Sequence, residues 1–196
     1  VMTLDSTHGG GTAERTFQMS RFMAKDVYES SILTTDLGLT KERMDRLQDV
    51  KVVALPCLNA RFYVPAVSVK AVRSLVEDAD VVHLMNHWTL LNAIVYVFVR
   101  YFRKPYVVCP AGSLTIYVRS KLLKRLYNSI IGKRIIHDAS RCIAITAVEG
   151  DQFEEYGVEA DRVRIVPNGV DEEDFEHVDD HGFREKHGLG SAPFLL

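Results

Sequence analysis

Cysteine is scarce in this sequence: three occur in 196 residues, Cys57, Cys109 and Cys142, each alone inside an apolar run. No two have the spacing of a zinc or redox pair, which excludes a disulfide framework and fits a reducing compartment. Long apolar runs are missing as well. The longest, Trp88 to Val99, spans twelve residues and contains Asn92. A membrane-spanning helix needs roughly 20 apolar residues, so this run reads as a buried helix. No charged-then-apolar leader opens the sequence, and the expectation is a soluble, cytoplasmic protein. Internal repeats and low-complexity tracts are also absent.

What is present is an ordinary globular composition, 47% hydrophobic and 26% charged. Its length suffices for one large domain, or one domain and the start of another. The net charge of −2 conceals an uneven distribution. From Arg100 to His137 there are nine bases, Arg119 among them, and no acid. From Glu149 to His187 fourteen acids face four bases.

Short β-rich runs alternate with helix-length segments. Strands are predicted at Val1 to Leu4, Ser31 to Thr34, Val50 to Leu55, Val81 to Leu84, Tyr106 to Cys109, Cys142 to Ile145 and Val163 to Val166. Helices are predicted at Thr12 to Ala24, Ala66 to Glu77, Leu90 to Phe102, Ser120 to Asp138 and Val148 to Tyr156. Several strands are continuous apolar runs without alternation, as expected when both faces are covered. The pattern predicts an α/β fold with a doubly wound, Rossmann-like parallel sheet. Residues 1–170 read as that domain. Residues 171–196 read as an acidic linker, with seven acids between Val170 and Asp180, followed by the truncated start of another domain at Ala192 to Leu196.

Chemistry concentrates at the ends of the predicted strands. His8-Gly9-Gly10-Gly11-Thr12-Ala13-Glu14 separates the first strand from the first helix. Glycines there let backbone N–H groups approach a ligand, and a helix N-terminus adds partial positive charge, which together suit a phosphate. The dinucleotide fingerprint is only partly met, because Glu14 stands where its third glycine belongs. A plain Gly-rich turn is the bland alternative.

Asn86, His87 and Trp88 follow the strand Asp80-Val-Val-His83, at the edge where ligands bind in parallel sheets. His83 and His87 on one strand would lie about 13 Å apart, too far to share a metal ion, so no metal is expected. His83 reads as a satisfied core histidine, and His87 as either core or a site residue. Pro110-Ala111-Gly112-Ser113 follows another strand and by itself is only a turn. Lys121, Lys124 and Arg125 recur at helical spacing, with Leu122, Leu123, Leu126 and Tyr127 on the apolar side. A solvated helix face would look the same, whereas an anionic membrane surface would attract each base by about 1 kcal/mol. Nucleic acid is not expected, because aromatics do not interleave with the charges.

Taken together these residues resemble the retaining glycosyltransferases of family 4, which have two Rossmann-like domains facing across a cleft. The resemblance rests on Gly9, Gly10, Gly11 and Glu14, on Asp80 to His83, and on Pro110 to Ser113. It continues through Cys142-Ile-Ala-Ile-Thr146 with Glu149, and ends at Arg164-Ile-Val-Pro-Asn168-Gly-Val-Asp171. It implies that this is the amino-terminal, acceptor-side half, inactive alone, with donor phosphate at Gly9 to Gly11. Acceptor-side contacts are expected from Glu14, Asn86, His87, Trp88 and Ser113, and a membrane-facing role from Lys121, Lys124 and Arg125. The implied partners are a nucleotide-sugar donor and a saccharide or lipid-linked acceptor, with no cofactor or obligatory metal. Many members carry a histidine where this chain has Ala111; either this chain manages without it or another residue such as His87 occupies the space, and no catalytic residue is assigned.

Two other classes fit part of the sequence. Asp36, ending the second strand, would suit the ribose-binding acid of an NAD(P)-dependent oxidoreductase, although Glu14 opposes that reading. A non-catalytic glycan- or lipid-binding module is the other.

Overall fold

A computed structural model describes residues 1–115, 120–170 and 181–190. Arg119, the acidic stretch 171–180 and the expected strand start at Ala192 to Leu196 lie outside the described residues.

The predicted first strand is not a regular one. Val1 to Leu4 runs beside β1 (Ser30–Thr35), with Val1 N donating to Leu33 O at 3.0 Å and Thr35 N to Met2 O at 3.3 Å. Side chains then take over the pairing: Thr35 Oγ1 donates to Met2 O at 2.5 Å and Thr3 Oγ1 to Leu37 O at 2.7 Å. The helix that follows, α1 (Ser6–Lys25), starts earlier than the sequence suggests, because the Asp5 carboxylate caps it by accepting from His8 N at 2.9 Å. It is broken at Gly10, whose φ of 54° and ψ of −145° are not helical.

β1 pairs in parallel with β2 (Val50–Leu55) over the full register from Ser30↔Val50 to Thr35↔Leu55. Between them lies the short α2 (Lys41–Asp45), capped by Thr40 Oγ1. Two strands were not legible in the sequence: β3 (Cys57–Asn59) and β4 (Val64–Pro65) form a small antiparallel hairpin. They are too short to carry a periodic signal.

The second half is a regular βα succession. It runs α3 (Val69–Asp78), β5 (Val82–Met85), α4 (Leu90–Phe102) and β6 (Tyr106–Cys109). After β6 come α5 (Lys121–Tyr127), a π-turn at Asn128–Gly132 and α6 (Lys133–His137). The predicted single helix Ser120 to Asp138 is therefore wound out by one π-turn in its middle. β7 (Arg141–Ala144), α7 (Ala147–Gln152), 3₁₀ turns at Phe153–Tyr156 and Ala160–Arg162, and β8 (Val163–Ile165) complete it. A further short helix, α8 (His181–His187), follows separately. Strands β5-β6-β7-β8 form one parallel sheet in that order.

Ser68, Thr89 and Thr146 each cap the helix that follows by accepting a hydrogen bond from the backbone N–H three residues on. Such caps contribute about 1 kcal/mol apiece and fix where each helix leaves its strand. The larger core, including Val72, Leu84, Leu91, Val99, Val108, Ile136 and Phe153, lies between the four-stranded sheet and its helices. A smaller one gathers Leu4, Phe17, Ile32, Leu47 and Val50 under α1. Cys109 and Cys142 are wholly buried and free, and burial pushes the Cys142 thiol up to about 11.

Candidate functional site

The loop at the start of α1 gives its three glycines different tasks. Gly9 is buried, and a Cβ there would fall 2.6 Å from Ala13 Cβ and 2.9 Å from Thr3 Cγ2. It is the glycine that lets helix and chain pack, the part the dinucleotide fingerprint gives to its third glycine. Gly10 and Gly11 are exposed, and a Cβ at either would meet nothing within 4 Å. Their backbone is open to a ligand at the helix start. Tyr63 OH donates to His8 O at 2.8 Å and ties the loop to the chain just before β4. Glu14, one turn further, is held by Arg43 Nη2 at 2.8 Å and Gln18 Nε2 at 2.8 Å.

The ends of β5 and β6 are joined by side chains. Asn86 sits in the left-handed region at φ 68°, and its Oδ1 accepts from His87 N at 2.6 Å, with Ser113 Oγ 3.3 Å away and donating its proton to Pro110 O at 2.6 Å. Trp88 Nε1 donates to Ser113 O. Asn86, Trp88 and Ser113 are thus brought together, as expected of neighbouring strand ends. Ala111 at φ 53° and Gly112 at φ 81° make the turn between them. Glu149, 2% exposed, anchors that turn from the next crossover: Oε1 accepts from Gly112 N at 2.5 Å and Oε2 from Ile145 N at 2.8 Å. A buried carboxylate needs such donors to offset its lost hydration.

His87 does not occupy the space expected of a catalytic side chain. It is 0% exposed, enclosed by the rings of Trp88, Tyr127 and Tyr156. Asn128 Nδ2 donates to Tyr156 OH at 3.1 Å, so its Oδ1 faces His87 Nε2 at 3.0 Å and that nitrogen carries the proton. Burial, opposed by the Asn128 hydrogen bond, lowers the His87 pKa to about 4, which keeps the imidazole neutral. The pull comes from α5 and its π-turn: Tyr127 OH donates to His87 O at 2.9 Å. His87 therefore supports the Trp88 loop from below. His83 also departs from expectation. Its Nε2 is sealed from solvent and lacks a hydrogen-bond partner, and burial with the nearby Arg15 charge lowers its pKa to about 4.

Several residues that shape the site carry no motif. Asn92 Nδ2 donates to Met85 O and Asn86 O, both at 2.9 Å, and so fixes the end of β5. A lone Asn within the apolar run was its one signal. Tyr127, Asn128 and Tyr156 gave none, because their role depends on contacts across 28 to 41 residues. Asp36, the candidate ribose acid, accepts from Cys57 N at 2.8 Å.

On the basic helix, Lys121 and Arg125 are exposed, whereas Lys124 is half-buried with Nζ 5.0 Å from the centre of the Trp88 ring. Leu122, Leu123 and Leu126 beside them are 82%, 54% and 56% exposed. Among the described residues no helix is long and apolar enough to cross a membrane, and no group of three or more His, Cys, Asp or Glu could hold a metal ion.

Parallel strands joined through helices, with the ends of β5 and β6 linked by side chains, make a Rossmann-like arrangement. Residues 10–169 match the model of the Glycosyl transferase 4-like domain, and the chain belongs to that family. A search of curated proteins finds no match. Among solved structures, Anabaena Alr3699/HepE in complex with UDP and glucose is similar with a TM-score of 0.67 at 13% identity, over 92% of this chain. The same protein with UDP-glucose gives 0.67 at 14% identity over 93%, and with UDP 0.64 at 13% over 92%. The chain spans about half the length of these structures, 47% in each case. Its fold is one half of the two-domain glycosyltransferase architecture.

Proposed function

We propose that this chain is the acceptor-side half of a retaining glycosyltransferase, inactive alone, that moves a sugar from a nucleotide-sugar donor to a saccharide or lipid-linked acceptor. The observation that carries this is the exposed backbone at Gly10 and Gly11, at the break in the first turns of α1, where a Cβ would meet nothing within 4 Å. N–H groups and a helix dipole placed there stabilise a departing diphosphate without a protein nucleophile. The acceptor hydroxyl oxygen bonds to the anomeric carbon as the sugar–phosphate bond breaks. The electron pair leaves on the diphosphate, which takes up the acceptor proton. The chemistry asks of this half a phosphate cradle, Gly10 and Gly11, and a wall for the acceptor; the buried Gly9, whose N–H donates to Asp5 O at 2.8 Å, packs beneath the cradle. We assign that wall to Asn86, Trp88 and Ser113, with His87 beneath it, and assign Glu14, held by Arg43 and Gln18, a separate acceptor contact one turn past the glycines. UDP-glucose is the first donor to test, because the HepE structures of like fold hold UDP and UDP-glucose.

The test is release of nucleoside diphosphate from UDP-glucose or GDP-mannose by the full-length protein with saccharide and lipid-linked acceptors. Residues 1–196 alone should show neither turnover nor tight binding. Micromolar affinity of the isolated chain by calorimetry would contradict its being an incomplete site.

Lipid-linked acceptors are favoured by one specific feature, the exposed leucines of α5 set among Lys121 and Arg125 in a stretch without acids. That combination suits peripheral attachment to an anionic, cytoplasm-facing membrane surface.

A further inference from the structure

Arg15 is a buried cation that the proposed reaction does not use. The residue is 6% exposed, and its Nε and Nη2 are sealed from solvent without a hydrogen-bond partner among the described residues. Its hydrogen bonds to oxygen come from Nη1, which donates to Pro167 O at 3.0 Å and to Asn168 Oδ1 at 2.9 Å, and the Cys109 thiol lies beside the guanidinium. Those acceptors lie 152 and 153 residues further along the chain.

They also lie where the chain leaves the sheet. The last backbone bond at that edge runs from Val166 N to Ala144 O, 2.8 Å. Residues 166 to 170 are all exposed, and among the described residues the hydrogen bonds to 167–170 come from Arg15. Burying a guanidinium with unfilled donors is costly, and a surface tie-down needs no such burial. The helix that bears this residue is also the one whose start is the glycine loop.

We propose that Arg15 is a positioning residue for sugar transfer: it locks Pro167 and Asn168 to the helix that begins with the glycine loop. The direction in which the chain leaves the sheet over residues 166–170 is then set by α1. This rests on the functional reading above, in which a second half follows. Lysine would keep the charge but lose the rigid plane that aims the two Nη1 hydrogens at Pro167 O and Asn168 Oδ1.

The experiment is a double-mutant cycle in the full-length protein with UDP-glucose as donor. Arg15→Lys, Asn168→Ala and the double variant are compared for kcat, KM, melting temperature and amide exchange at residues 166–170. Each single change should lower kcat/KM about tenfold, and the double should be no worse than either, since both break one lock. Asn168→Ala should melt like wild type, because its side chain lies on an exposed segment, yet exchange faster at 166–170. Asn168→Asp, which keeps an acceptor for the guanidinium, should retain activity. Should Arg15→Lys fail to fold, the two Asn168 variants decide by themselves. Wild-type kinetics in Asn168→Ala, or single effects that multiply in the double variant, overturn the lock while transfer itself stands. If no nucleotide sugar supports turnover, the functional reading falls and the role in transfer falls with it. Unchanged exchange in Asn168→Ala would then remove the lock as well.

Discussion

Changing Gly10 to valine perturbs the proposed phosphate cradle with little other disturbance. The position has φ 54° and ψ −145°, a combination that residues with a Cβ scarcely adopt. Forcing a side chain into it costs about 1–3 kcal/mol. Packing adds nothing, because a Cβ there meets no atom within 4 Å. For a domain of this size each kcal/mol lowers the melting temperature by about 2–4 °C, so a fall of about 2–12 °C is expected, with the fold kept. The effect on transfer should be far larger. Either the backbone swings away and its N–H groups lose their aim, or it holds and the isopropyl group covers the approach. Losing one aimed N–H donor in other enzymes costs about 10²–10³ in kcat. The assay is diphosphate release by the full-length protein, paired with a melt of the same sample. Wild-type turnover in Gly10→Val would refute the placing of the donor diphosphate at this loop.

Gly9→Ala should behave in the opposite manner, as a packing defect. Its Cβ would lie 2.6 Å from Ala13 Cβ, and overpacking of this kind costs about 1–3 kcal/mol, read as a lower denaturation midpoint. For His87, the folded-state pKa of about 4 lies below the unfolded value near 6.5. The unfolded chain therefore takes the proton first as pH falls, and stability fully present above about pH 6.5 is lost toward pH 4 by roughly 3 kcal/mol. Denaturant melts across that window should show the loss, to which His83 adds with the same shift, so His87→Gln should remove about half of the slope and leave the His83 part. Vesicle co-sedimentation should show binding that needs anionic lipid and weakens when Lys121, Lys124 and Arg125 become glutamine. It should also fade as salt shortens the Debye length from about 10 Å at 0.1 M to about 3 Å at 1 M. A chain that ignores anionic vesicles at low salt would mark α5 as a solvated face.

The α/β class, the parallel pairing of strands and the placing of motifs at strand ends were legible in the sequence, whereas the division into a β1-β2 sheet and a sheet of β5 to β8 was not. The legible features are set by local composition: unbroken apolar runs for strands covered on both faces, separated by helix-length segments. Asn86 and Ser113 were expected to face one cleft, because in a parallel sheet the ends of neighbouring strands share an edge. Tertiary structure decided the rest. Three adjacent glycines look alike in sequence, yet Thr3 and Ala13 close over Gly9 while Gly10 and Gly11 stay open. A histidine at a strand end looked available, yet Tyr127, Asn128 and Tyr156 bury His87 from about 40 to 70 residues away in sequence. Arg15 reads as one more charge on a helix until the chain returns 152 residues later to meet it. Periodicity and capping act over a few residues and so can be read along the chain. Burial, partner choice and unfilled hydrogen bonds depend on which distant segments meet, and only packing of the whole sheet brings those together.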